Sequence, residues 1–162
     1  MHLSFTFRNL DGSKFAEVPP ATGSGLALIL TARGAAFGDL FNDGHVDVVL
    51  NNVDSTPTLL RNVVSNANHW VTLKLLGGPK SPRDAIGAKV FVTAGGVRQR
   101  ADVFSGGSYA SSSDQRLHFG LGASDKIERV EIHWPSGTKQ TIQVPAVDKI
   151  YTVQEGQGII QP

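Results

Sequence analysis

The sequence contains no cysteine, which excludes disulfides, thiolate nucleophiles and zinc sites built on sulfur. It has a single methionine and no excess of either charge: 15 Lys and Arg face 14 Asp and Glu, for a formal net charge of +1. A chain so nearly balanced offers no evident basic face, so no nucleic-acid partner and no anionic membrane surface are expected. Long apolar runs are missing as well. The longest, "GLALILTA" at 25–32, is far shorter than the roughly 20 residues a membrane span requires. The opening "MHLSFTFRNLDG" lacks both the basic start and the apolar stretch of a signal peptide. Helical periodicity nowhere extends beyond about two turns.

In place of helix signals there are glycines and period-two alternation. In "RVEIHW", Val130, Ile132 and Trp134 alternate with Arg129, Glu131 and His133, the mark of a half-buried strand. "WVTLKLL" does the same with Val71, Leu73 and Leu75 on one face. "AKVFVTA", Gly95-Gly96 and "VRQRADVF" read as a hairpin, because two adjacent glycines supply the positive φ angles of a tight turn. "HWPSGTKQTIQV" reads as a second hairpin, with Pro135 entering the turn and Gly137 in its left-handed position. Further strands are expected at 2–7, 34–37, 45–50, 58–62, 117–121 and 149–154. The class is all-β, mostly antiparallel. With 162 residues it can bury one sizeable core, or two smaller ones that share an interface.

The polar stretch "NVVSNANHW" at 62–70 divides the chain, giving segments 1–66 and 67–162. A faint repeat lies ahead of it: "FRNLDG" (7–12) and "LRNVVS" (60–65) share Arg-Asn after an apolar residue. Their spacing is that of one propeller blade. A lone blade cannot close a ring. The chain is therefore expected to be part of a longer architecture, or to cover its exposed β edges by homo-oligomerisation.

The segment "RNLDGSKFAEV … RGAAFGDLFNDGHVDVVLNN … PTLLRN" resembles an FG-GAP/VCBS repeat, the calcium-associated blade of integrin-like propellers. Residues 68–155, with "IGAKV", "LHFGLG" and "WPSG", resemble the ASPIC/UnbV domain of cartilage-acidic-protein-like bacterial chains. Together these imply a β-sandwich-like C-terminal domain preceded by a blade-like β-hairpin segment. They also imply a secreted or cell-surface setting and calcium as the bound ion.

The loop "GDLFNDGHVDVVLNN" at 38–52 carries the candidate metal site. Calcium takes six to eight oxygens, which alternate side chains and a carbonyl can supply. The resemblance places Asp39, Asp43 and Asp47 at ligand positions one, five and nine, Gly44 at six and the His45 carbonyl at seven. Position three is Phe41, which has no side-chain oxygen. Three close carboxylates without a cation repel, and that would raise at least one pKa. The alternative is that Asn42-Asp43-Gly44 is turn chemistry with solvated aspartates around it. Asp11-Gly12 reads as a plain β-turn.

The second polar cluster, "SGGSYASSSDQRLHF" at 105–119, holds five serines with Asp114 and His118. Ser108 and His118 are the candidates for a serine mechanism, yet no G-x-S-x-G elbow accompanies them. By alternation His118 should face solvent or an edge. Tyr109, Arg83, Arg98, Arg100 and Arg116 are candidates for lining an anion or sugar groove. The preferred function is a calcium-binding module with a structural or adhesion role toward a carbohydrate or protein. The alternative is a calcium-dependent hydrolase of small esters or lactones such as acyl-homoserine lactones, with His45 as the nearest base. The chain is similar in kind to small soil-bacterial proteins linked to that hydrolysis, a link no motif here carries.

Overall fold

The computed structural model describes residues 2–3, 6–10, 12–21 and 24–161. The expected strand at 2–7 lies partly outside them, and Asp11 wholly so. Fifteen strands appear in the described residues, with one short 3-10 turn at Gly25–Ala27. The N-terminal strands are β1 (His2–Leu3), β2 (Phe7–Asn9), β3 (Phe15–Glu17), β4 (Ile29–Leu30), β5 (Ala32–Gly38), β6 (Asp47–Asn52) and β7 (Thr58–Leu60). They form two-stranded pairs β1–β4 and β2–β3 and an antiparallel sheet β5–β6–β7. The expected strands at 45–50 and 58–62 are present with shifted ends.

The C-terminal strands are β8 (His69–Leu76), β9 (Lys89–Ala94), β10 (Val97–Asp102), β11 (Leu117–Gly122), β12 (Arg129–His133), β13 (Lys139–Ile142), β14 (Lys149–Gln154) and β15 (Gly158–Gln161). They make two four-stranded sheets, ordered β10–β9–β12–β13 and β11–β8–β14–β15. Alternation decides which side of each sheet is apolar. Val90, Val92, Val130 and Ile132 of one sheet and Val71, Leu73, Tyr151 and Val153 of the other belong to one buried cluster. The two inner faces therefore share a core, as in a sandwich. Burying each such side chain contributes roughly 1.5–3 kcal/mol, so this core dominates the stability of the chain.

Both expected hairpins form. Gly95 and Gly96 take φ of 55° and 74° between β9 and β10, and Gly137 takes 91° between β12 and β13. One pairing was not legible in the pattern: β8 and β14 run parallel, in register from Lys149↔Val71 to Gln154↔Leu76. Their ends are stapled at Asp148, whose N–H donates to the Trp70 carbonyl at 2.7 Å while its carboxylate accepts from Trp70 N–H at 3.0 Å.

The N-terminal sheet reaches this sandwich through glycines. A Cβ at Gly34 would lie 2.5 Å from the Tyr109 carbonyl oxygen, one at Gly38 2.9 Å from Asp114 Cβ, and one at Gly44 2.1 Å from Trp70 Nε1. Only a residue without Cβ permits such approaches. Along β5, Asp114 N–H donates to the Phe37 carbonyl at 2.8 Å and Phe37 N–H to Ser113 Oγ at 3.2 Å. That covers part of the β5 edge.

Candidate metal centre and the adjoining cleft

The loop joining β5 to β6 brings Asp39 and Asp47 together, because Gly38 and Asp47 are paired across the two strands. Both side chains are buried, at 3% and 1% exposure. Each carboxylate oxygen is answered by a backbone N–H. Asp39 Oδ1 accepts from Asp43 N at 3.0 Å, and its Oδ2 accepts from Gly44 N at 2.9 Å. Asp47 Oδ2 accepts from Leu40 N at 3.1 Å and Oδ1 from Asn62 N at 2.9 Å. Asn42 and Gly44 adopt positive φ, 56° and 83°, which turns the loop back on itself so that these N–H groups point inward.

Asp43 sits differently. Its Oδ1 accepts from His45 N and faces His45 Nδ1, each at 3.1 Å, and Arg61 Nη2 stands 3.3 Å from Oδ2. The His45 N–H above all, with Arg61 and the His45 ring, holds the Asp43 carboxyl below its ordinary value of 3.8. At this residue the shift is downward, the opposite of what crowding among carboxylates gives. Hydrogen bonds and a guanidinium favour the carboxylate, where bare like-charge crowding would disfavour it. Phe41 does not enter the core either. It is 47% exposed, and the Arg61 guanidinium lies 4.1 Å from its ring centroid. Among the described residues no group of three or more His, Cys, Asp or Glu side chains is assembled to hold a metal.

Arg116 ties the loop to the sandwich. It donates from Nη2 to the Asp39 carbonyl at 2.7 Å, from Nη1 to Asn42 Oδ1 at 2.6 Å and from Nε to Asp114 Oδ2 at 2.6 Å. Neither this role nor that of Trp70 follows from spacing, since both residues lie outside the loop and its flanking strands β5 and β6. For Arg61 and Asn62 a signal existed: they are the Arg-Asn of the faint repeat.

His118 lies on β11, the edge strand of its sheet, opposite the buried Leu117 and Phe119, and is half-buried there. Its ring stacks on Trp70 with centroids 5.8 Å apart, and its Nδ1 is 3.0 Å from Thr72 Oγ1. Burial pushes its pKa below 6.5, against an upward pull from Asp39. With Asp39, Thr72 and Arg116 it lines a cavity of about 170 Å³. A larger cleft, about 610 Å³, opens beside it between Gly44-His45 and His69-Trp70, with Asp148 in its wall. There His69 Nδ1 lies 2.7 Å from Asp148 Oδ2.

Ser108 is exposed and bridges to Ser111. Among the described residues no hydrogen bond joins it to His118, whose Nδ1 faces Thr72 instead. The residues proposed for a groove also scatter. Arg116 serves the acidic loop, Tyr109 is 78% exposed, and Arg98 and Arg100 lie over Phe91 on the outside of the sandwich.

A two-sheet β-sandwich with one internal core, entered through an acidic loop, defines the class. The profile of the family described as ASPIC and UnbV matches residues 78–160, and the chain belongs to that family. No curated protein matches the chain. Among the described residues no helix is long and apolar enough to cross a membrane.

Proposed function

We propose that this chain is a calcium-binding β module with a structural or interaction role, in which the ion clasps the Asp39–Asp47 loop. One observation carries the reading. Asp39 and Asp47 are buried, and each of their oxygens accepts a single backbone N–H. A carboxylate offers about four lone-pair sites, so each oxygen keeps capacity for a hard cation. These two residues fit calcium. Asp43 would join them, with the His45 carbonyl, by turning from Arg61; Phe41 contributes no ligand and water would take its place. The likeness of 38–52 to an FG-GAP/VCBS loop supports the same ion, and with it a secreted or cell-surface setting and a carbohydrate or protein partner.

A bound ion stabilises the fold by about 2.7 kcal/mol at a hundredfold excess over Kd. Calcium should therefore raise the melting temperature, and EDTA or Asp43→Ala should lower it. A melt indifferent to all three would overturn the reading.

A second reading, a calcium-dependent hydrolase of small esters or lactones, is favoured by His118. His118 lines the small cavity with Asp39, and burial lowers its pKa, a shift toward the neutral form that a proton acceptor for water needs. Calcium, when bound, would supply Lewis-acid polarisation of the carbonyl. Lactone-panel activity that needs calcium and vanishes in Asp47→Ala would support it; activity surviving EDTA would count against it.

A further inference from the structure

The near-balance of charge in the sequence hides a local surplus. Register places Lys89 between Asp102 and His133, Phe91 between Arg100 and Glu131, and Thr93 between Arg98 and Arg129. Lys139 pairs with His133 and Thr141 with Glu131 across the next strand. Cross-strand partners share a face, and Val90, Val92, Val130 and Ile132, the residues between, are buried in the core. All the former residues therefore lie on the outer face of the sheet β10–β9–β12–β13. The face is a grid of four strands by three rows, about 15 Å by 13 Å at ordinary strand spacings.

Lys89, Arg98, Arg100, Arg129 and Lys139 stand there against Asp102 and Glu131, five cations to two anions, a surplus of three in a chain whose net charge is +1. The rest of the molecule is accordingly acidic. The internal pairing leaves the surplus intact. Arg98 and Arg129 share Glu131, at 3.2 and 3.0 Å, and Arg100 takes Asp102 at 2.6 Å. Glu128, at the edge, turns its carboxylate to Gly96 N–H.

We propose that this face binds an acidic polysaccharide. A sheet face with cations on all four strands and in every row suits a chain of repeated charges better than one compact anion, and guanidinium forks match carboxylate and sulfate groups. Single-stranded nucleic acid is disfavoured by the aromatic content. Phe91, the face's one aromatic besides His133, lies under the Arg98 guanidinium at 4.1 Å and against the His133 ring at 5.0 Å, so no free ring remains for base stacking. The proposal does not depend on the acidic loop.

The test is binding to immobilised heparin and alginate, in calcium and in EDTA, with dextran and single-stranded DNA as comparison polymers. For three surplus cations the affinity should fall roughly 20- to 40-fold between 50 and 200 mM salt on a polymer with the counterion-release slope of single-stranded or duplex nucleic acid. Arg98→Gln with Arg129→Gln should cut that dependence to about threefold. Glu131→Gln should steepen it, a gain that misfolding cannot imitate. Lys80→Gln, off the face, should change nothing. The proposal is overturned if neither acidic polymer binds at 50 mM salt, if the Arg98/Arg129 variant binds as the parent does, or if single-stranded DNA binds through this face more tightly than both.

Discussion

The two regions of this chain are held by different forces. The C-terminal sandwich buries some twenty apolar side chains in one cluster between its sheets. In the sheet β5–β6–β7 the only buried hydrophobic is Leu50, and beside it the buried residues are Gly34 and the two carboxylates Asp39 and Asp47. Phe37, Leu40, Phe41 and Leu59 around that sheet are exposed. One region stands on the hydrophobic effect. The other stands on hydrogen bonds to buried carboxylates and on close docking against the first, and such an arrangement is local and conditional.

That contrast can be broken by mutation. The largest effect should come from Leu73→Ala, which empties a fully buried site in the sandwich; a loss of about 3 kcal/mol in global stability is expected in chemical denaturation. A cost below 1 kcal/mol would contradict the placement of the core. Next comes Gly44→Ala. Its positive φ and the overlap of an added Cβ with Trp70 Nε1 should make it cost roughly 1–3 kcal/mol. Hydrogen exchange should locate that cost in residues 39–62 and leave β8 to β14 protected. Uniform loss across both regions would show that they unfold as one.

Smaller effects should follow pH. His118 has a folded pKa depressed by burial, so its contribution is fully present above its ordinary 6.5 and declines as pH falls through the lowered value. Stability should drop on acidification from pH 7, and less so in His118→Gln; identical profiles would refute the burial argument. Asp43 titrates lower. Its carboxyl is held below 3.8, so its support of the loop is present above that value and disappears as pH falls beneath it. Asp43→Asn should flatten only this acid limb, read by exchange at Gly44 and His45.

Much of the sandwich was legible because alternation and turn chemistry are local. Val71, Leu73 and Leu75, the Gly95-Gly96 turn and Gly137 follow from neighbours a few residues away. The parallel β8–β14 pair was not legible, since it joins residues far apart in the chain, Val71 with Lys149 through Leu76 with Gln154, and no periodicity announces it. At the loop, the aspartates were visible and their surroundings were not. Arg116, Trp70 and Asn62 come from other elements, and Phe41 faces solvent under Arg61 when an apolar residue would ordinarily be expected inside. The basic face was hidden for a different reason: whole-chain charge averages over both sides of every sheet, whereas register sorts them.

The most direct measurement is native-state hydrogen exchange across both regions, with saturating calcium and with EDTA. Calcium should slow exchange in residues 39–52 markedly and leave the core strands β8, β9 and β12 unchanged. If exchange in 39–52 is the same in calcium and in EDTA, the loop is a self-sufficient turn and the account of its buried carboxylates as a metal clasp is wrong.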